Sequence, residues 1–324
     1  MIRKSSFDGV LFIGDPHIEG RNPDFRSDNY PIAILKKLRW CLRYCEQNSL
    51  VPVVLGDLFD KPRDNPTWII GELIEMMKGK GIIGIYGNHD CADPVLNEND
   101  SLTLLIKSGC LRLVSENSPW RGEVCGRSVL IGGSSYREEI PSSVDLARFR
   151  RDTLFPEDPF GIWISHHDVL IPTYEGGRFA PFEIENIDLL VNGHIHTRSE
   201  PITKGQTTWM TPGNISRRSR SENCRTQEPA ALKLTLTDNM FETEYVVVPH
   251  ASFDEVFHEP AIDTDEFDGA SAFVAGLSEL RRRKTSSGAG LKAFLEKNIE
   301  QFSPPVASEI MQLANQVTGN SNQS

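Results

Sequence analysis

The chain has no excess of basic charge, no cysteine pair at metal-binding spacing and no long apolar run, and each absence excludes a class of function. Lysine and arginine number 34 against 45 aspartates and glutamates, a net charge of -11. That balance argues against a protein that grips nucleic acid through a general basic coat. A phosphate-bearing substrate remains open, because metal ions and a local basic patch can hold phosphate and part of the negative count is metal-binding carboxylate. None of the six cysteines (Cys41, Cys45, Cys91, Cys110, Cys125 and Cys224) forms a C-x-x-C pair, and a chain of 324 residues needs no disulfide staples. Cys41 and Cys45, four apart on an expected helix, read as fillers, and reduced thiols imply an intracellular protein. Asp8 and Asp15 interrupt any signal-type apolar run at the start, and no stretch of about 18 apolar residues exists to span a membrane. No internal repeat is visible. At 39% hydrophobic and 24% charged, the composition is that of an ordinary globular protein.

The apolar residues are organised. Residues 9–14 (GVLFIG) read as a buried strand running into Asp15-Pro16-His17. Residues 31–46 carry apolar side chains at helical spacing, VPVVLGDLFD is a second strand with an acidic tip, 66–78 is a second helix, and IIGIYGNHD repeats the scheme. Strand, polar tip and helix in succession are an α/β layout with functional groups at the C-terminal ends of strands. Further strands are expected over 124–133, 161–165, 187–192, 207–211, 230–237 and 242–248, enough for a second sheet packed on the first. A boundary near 250 divides a main domain, 1–250, from a short linker and helical extension, 251–324. There, 273–284 and two later apolar stripes suit short helices around a flexible TSSGAG break.

Six of the eight histidines fall in polar clusters at strand ends: Asp15-x-His17, Gly56-Asp57 with Asp60, Gly87-Asn88-His89-Asp90, Ser165-His166-His167, and Gly193-His194-Ile195-His196. Each alone is weak evidence. Together they supply imidazole and carboxylate, the donors for intermediate divalent metals, with no thiolate. D-x-H and H-x-H put alternate side chains on one side of an extended segment, so both can face one ion. The glycines before Asp57, Asn88 and His194 permit sharp turns and close backbone approach.

The ordered set DPH, GDLFD, GNHD, SHH and GHIH resembles the calcineurin-like metallophosphoesterase superfamily over roughly residues 8–250. The resemblance implies a four-layer α-β-β-α sandwich and two divalent metal ions. One ion would be held by Asp15, His17, Asp57 and His196, the other by Asp57, Asn88, His166 and His194, with Asp57 bridging. It further implies a metal-bridging hydroxide as nucleophile, His89 as the catalytic acid and Asp60 as the carboxylate that orients it. Only one of His166 and His167 can face the site. The resemblance favours His166, which leaves His167 to support the ligands or to touch substrate.

Within that superfamily, GDLFD followed by Lys61-Pro62 and Pro66 is similar to the bacterial and phage branch of the Mre11/SbcD-type nucleases. The segment Thr211-Pro212-Gly213-Asn214-Ile215-Ser216-Arg217-Arg218-Ser219 resembles their PGS-type segment, with Asn214 in place of serine. The resemblance implies a Mn²⁺-dependent DNA nuclease, which the reduced thiols would place in the cytoplasm. Arg217 and Arg218 are candidate substrate contacts, and with Arg220 and Arg225 they either line a groove for a nucleic-acid backbone or form a solvated loop. Arg148, Arg150, Arg151 and the run 281–284 read as helix surface. The extension either packs on the main domain or docks a Rad50/SbcC-type ATPase, and a homodimer is a further expectation. The alternatives are a small-molecule phosphodiesterase or phosphatase, favoured by the acidic charge and short extension, and a non-catalytic scaffold, which a missing ligand would have signalled.

Overall fold

The computed structural model describes residues 6–23, 26–146, 159–172, 174, 176–238, 240–257 and 310. The chain divides into two units, Met1–His258 and Glu259–Ser324, and the fold below is that of the first. Most of the expected extension, including 273–284 and the later helical stripes apart from Ile310, lies outside the described residues, as do Arg148, Arg150 and Arg151.

Three successive strand–helix units open the fold. They comprise β1 (Ser6–Phe7), β2 (Gly9–Ile13), α1 (Tyr30–Gln47), β3 (Leu50–Val54), α2 (Thr67–Met77), β4 (Ile83–Gly84), α3 (Ser101–Lys107) and β5 (Arg112–Leu113). The hairpin partners β6 (Trp120–Val124) and β7 (Arg127–Ser134) follow, then β8 (Phe160–Ser165), β9 (Leu189–Asn192), β10 (Ile202–Lys204) and β11 (Thr207–Met210). Short α4 (Glu222–Thr226), the hairpin β12 (Ala230–Leu236) and β13 (Phe241–Val247), and α5 (Phe253–Val256) complete it.

The strands form two sheets. One has six strands in the order β13-β12-β2-β3-β4-β5, the other seven in the order β1-β6-β7-β8-β9-β11-β10. β2, β3, β4 and β5 run parallel, as do β7, β8, β9 and β11. The central strands β2, β3, β8 and β9 are buried along their whole length because both faces are covered. In β2, Leu11 and Ile13 face α1–α3 while Val10 and Phe12 face the other sheet. In β8, Ile162 and Ile164 enter the layer between the sheets, and Trp163 points to the outer layer with Leu190 and Trp209. Asn29 caps α1 by accepting from the Ile32 N–H, and Pro31 sits in its first turn, where no donor is lost.

One feature differs from the sequence-based picture. The run 124–133 is not one strand: β6 ends at Val124, and Cys125 and Gly126, both left-handed (φ 50° and 78°), turn the chain into β7. Two positive-φ residues match the right-handed twist of the strands they join. On the outer face of the six-stranded sheet lie α1, α2 and α3, and the described residues on the outer face of the seven-stranded sheet include Ile140, Val144, Val169, Ile171, Ile184 and Ile187, as an α/β fold with two packed sheets requires.

Candidate metal centre and active site

The C-terminal ends of parallel strands from both sheets meet along one edge. Ile215 N–H donates to the Gly14 carbonyl (3.0 Å), and the His194 N–H to Asp15 Oδ1 (3.0 Å). The turns are tight: Asp15, His17, Asp57 and His194 all hold positive φ, at 38°, 47°, 47° and 67°. For non-glycine residues this is costly backbone, of the kind that persists at functional sites where the surroundings enforce it. Gly56 (φ 96°) has no room for a side chain beside the His166 ring, and a Cβ on Gly87 would strike the Asp57 carboxylate.

Donor atoms converge in two neighbouring groups, which a third group of His17, Asp57 and His89 overlaps. In one, Asp15, His17 and His196 come together, with the His17 and His196 Nε2 atoms 3.0 Å apart. In the other, Asp57, His166 and His194 come together, with Asn88 Oδ1 3.2 Å from His166 Nε2 and 3.0 Å from His194 Nδ1. Asp57 Oδ2 stands between them, 3.6 Å from His17 Nε2 and 3.3 Å from His166 Nε2. His166 is oriented from behind by the Leu55 carbonyl (2.7 Å from Nδ1), and His194 by Asp168 (2.8 Å from Nε2). Acceptors behind each ring direct its proton outward and its other nitrogen toward Asn88 and Asp57.

The electrostatics call for cations. Burial pushes the Asp15 carboxyl up to about 8, against His166 and with Asp57 adding to the rise. Burial acts on Asp57 in the same sense, but the His166, His17 and His89 imidazoles outweigh it and hold that carboxyl below the usual range. Asp57 and Asp15 in turn overcome burial at His166 and raise it to about 9, so this position attracts positive charge. Asp15 Oδ2 is buried and finds no hydrogen-bond donor among the described residues. Two buried carboxylates, four converging imidazoles and an amide oxygen fit a pair of divalent ions of intermediate hardness.

His89 sits at the open side of this cluster, its side chain 40% exposed. Its main-chain N–H donates to Asp57 Oδ1 (2.8 Å) and its Nδ1 to the main-chain carbonyl of Asp60 (2.7 Å). The Asp60 carboxylate is 3.5 Å from His89 Nδ1 and lies closer to Arg218, 2.6 Å from Nη1. Arg218 also pairs with Glu19 (2.9 Å). His167 turns away, its Nε2 on the Glu138 carbonyl (2.7 Å) and its ring edge-on to Phe179. Arg217 is not brought to the cluster; it is buried and donates to the Ala251 carbonyl (2.9 Å). Arg225 lies over the Phe253 ring.

Three residues matter here that motif reading passed over. Asp90, within GNHD, accepts from the N–H groups of Gly87 (2.9 Å), Phe59 (3.0 Å) and Leu58 (3.3 Å), tying two site loops together. Glu19 holds Arg218. Asp168 backs His194, and its signal was available: His166 and Asp168 stand two apart, the same alternation that singled out D-x-H and H-x-H.

Among known proteins, the family model for calcineurin-like phosphoesterase matches residues 9–198, more than half of the chain. No curated protein matches. Among solved structures, vacuolar protein sorting 29 from Cryptosporidium parvum is similar at 14% identity and a TM-score of 0.30, over 74% of this chain and 96% of that one. The family match spans all five motifs up to His196, the stretch whose loops build the cluster, and the chain belongs to the calcineurin-like phosphoesterase family.

Proposed function

We propose that the chain is a Mn²⁺-dependent nuclease of the Mre11/SbcD type that hydrolyses DNA phosphodiesters. Ions held by Asp15, His17, Asp57 and His196, and by Asp57, Asn88, His166 and His194, would polarise the phosphate and acidify a water molecule. The chain's own residues do the rest. With Nδ1 tied to the Asp60 carbonyl, His89 presents Nε2 to the open side, where it can give a proton to the departing sugar oxygen. The observation that carries the reading is Arg218. It is delivered by the segment after β11 to the edge of the cluster, where its guanidinium offsets Asp60 and Glu19. An approaching phosphodiester backbone then meets a neutralised rim beside His89 instead of two bare carboxylates. Docking of an ATPase through the extension belongs to the same proposal and concerns residues outside the described set.

The same pairing supports a second reading. Arg218 is bound to two acids, Arg217 to carbonyls and Arg225 to a ring, so these three arginines offer little unengaged charge for a long polyanion. A small phosphodiester needs less. End-labelled single- and double-stranded DNA and a chromogenic phosphodiester, each with Mn²⁺ or chelator, separate the two. DNA cleavage that requires Mn²⁺ and disappears in His89→Ala supports the nuclease. Ester turnover with DNA left intact moves the substrate to small molecules, and no turnover of either substrate favours a binding scaffold.

A further inference from the structure

We infer that Asp168 is a positioning residue for His194 and that, through it, Tyr174 and Arg178 set the affinity of one of the two metal positions. The inference rests on the metal-centre reading above. Its basis is the partnering of one carboxylate. Asp168 Oδ1 lies 2.8 Å from His194 Nε2 and accepts from the Tyr174 hydroxyl (3.0 Å), while Oδ2 is 3.3 Å from Arg178 Nε. Both oxygens are occupied on the side of His194 away from Asn88. The carboxylate is therefore placed to orient the imidazole rather than to hold an ion itself. With the Nε2 proton fixed on Asp168, Nδ1 is left facing Asn88 Oδ1 at 3.0 Å, on the side where Asp57 and His166 converge.

The support behind Asp168 is built into the fold. The Arg178 N–H donates to the Asp168 carbonyl (2.8 Å), and the Leu170 N–H to the Phe179 carbonyl (2.8 Å). Bridges pair Val169 with Phe179 and Ile171 with Tyr174. Val169 and Ile171 are buried with Trp163 and Trp209 in the outer layer of the seven-stranded sheet. Among its described residues, a loop anchored in that layer thus reaches the metal centre through the Asp168 carboxylate. Removing a partner of this type weakens metal affinity by about 10- to 100-fold in general.

The test is Mn²⁺ titration by calorimetry into chelator-stripped full-length protein, comparing Asp168→Ala, Asp168→Asn and Tyr174→Phe with the unaltered chain. The expected result is two binding steps in the unaltered protein, with one weakened about 10- to 100-fold in Asp168→Ala and the other unchanged. Asp168→Asn retains an acceptor oxygen and should recover part of the loss. Tyr174→Phe, which removes one donor to Asp168, should show a smaller loss at the same step. These two milder variants carry the test if the alanine variant does not fold. Identical titrations in all four proteins overturn the inference, as does equal weakening of both steps with a lower melting temperature of the ion-free protein, which marks a merely structural role. No Mn²⁺ binding by the unaltered protein overturns the metal-centre reading, and this inference with it.

Discussion

His89 is oriented by a main-chain atom, which changes what substitution at Asp60 should do. The resemblance to known phosphoesterases implies that the Asp60 carboxylate orients the acid, but the closer partner of Nδ1 is the Asp60 carbonyl, at 2.7 Å against 3.5 Å. A carbonyl survives any side-chain replacement. His89→Ala should lower kcat on a phosphodiester by about 10²- to 10⁴-fold, the usual worth of a positioned proton donor. Asp60→Asn should cost about 10-fold, the low end for an outer partner of an active group, through its contacts with Arg218 and His17. Equal losses in the two variants would mean that the carboxylate does the orienting. At this scale the sequence was most legible where residue type and alternation coincide. Asp15, His17, Asp57, Asn88, His166, His194 and His196 were all singled out and come together. It was least legible where a partner lies far away in the chain. Nothing local ties Arg218 to Glu19, or sends Arg217 to the Ala251 carbonyl.

At the scale of elements, the long strands and α1 and α2 could be read because covered strands are apolar throughout and a helix on a sheet carries one apolar stripe. The turn inside 124–133 was missed because Cys125 and Gly126 interrupt an otherwise strand-like run by only two residues. One residue of α1 departs from its pattern. Lys37 is buried on the core side of the helix, its Nζ donating to the Ile215 carbonyl (2.8 Å). Burial, with Arg26 and Arg217 adding to it, pushes Lys37 down to about 7, far below its value of about 10.4 in an unfolded chain. Between those values the unfolded chain binds the extra proton, so folding stability should rise with pH from about 7 upward, by at most about 1.4 kcal/mol per pH unit. Lys37→Met should flatten that rise in urea unfolding measured at pH 7, 8 and 9. An unchanged slope would place the proton elsewhere. Asp90 acts across elements. Asp90→Ala strands three buried N–H groups and should cost about 3 kcal/mol or more by chemical denaturation, at about 1–3 kcal/mol for each donor.

For the molecule as a whole, the cluster is where the two sheets are joined chemically. Asp15, His17, Asp57 and Asn88 follow strands of the six-stranded sheet, and His166, His194 and His196 follow strands of the seven-stranded sheet. Ions bound there would link the sheets and bind only the folded chain. Mn²⁺ at 100 times its dissociation constant should therefore stabilise the protein by about 2.7 kcal/mol for each site filled, visible as a rise in Tm that chelator reverses. No described helix is long and apolar enough to cross a membrane. The two-sheet architecture was legible because five motifs each close an apolar run. How the sheets face one another was not, since that depends on long-range packing.

The most direct test of the metal-dependent phosphoesterase account is turnover of a chromogenic phosphodiester by chelator-stripped protein, before and after Mn²⁺ is restored, for the unaltered chain and for His194→Ala. The expected result is no turnover without the ion, recovery with it, and little recovery in His194→Ala. Turnover that ignores the chelator, or full recovery without His194, would contradict the account.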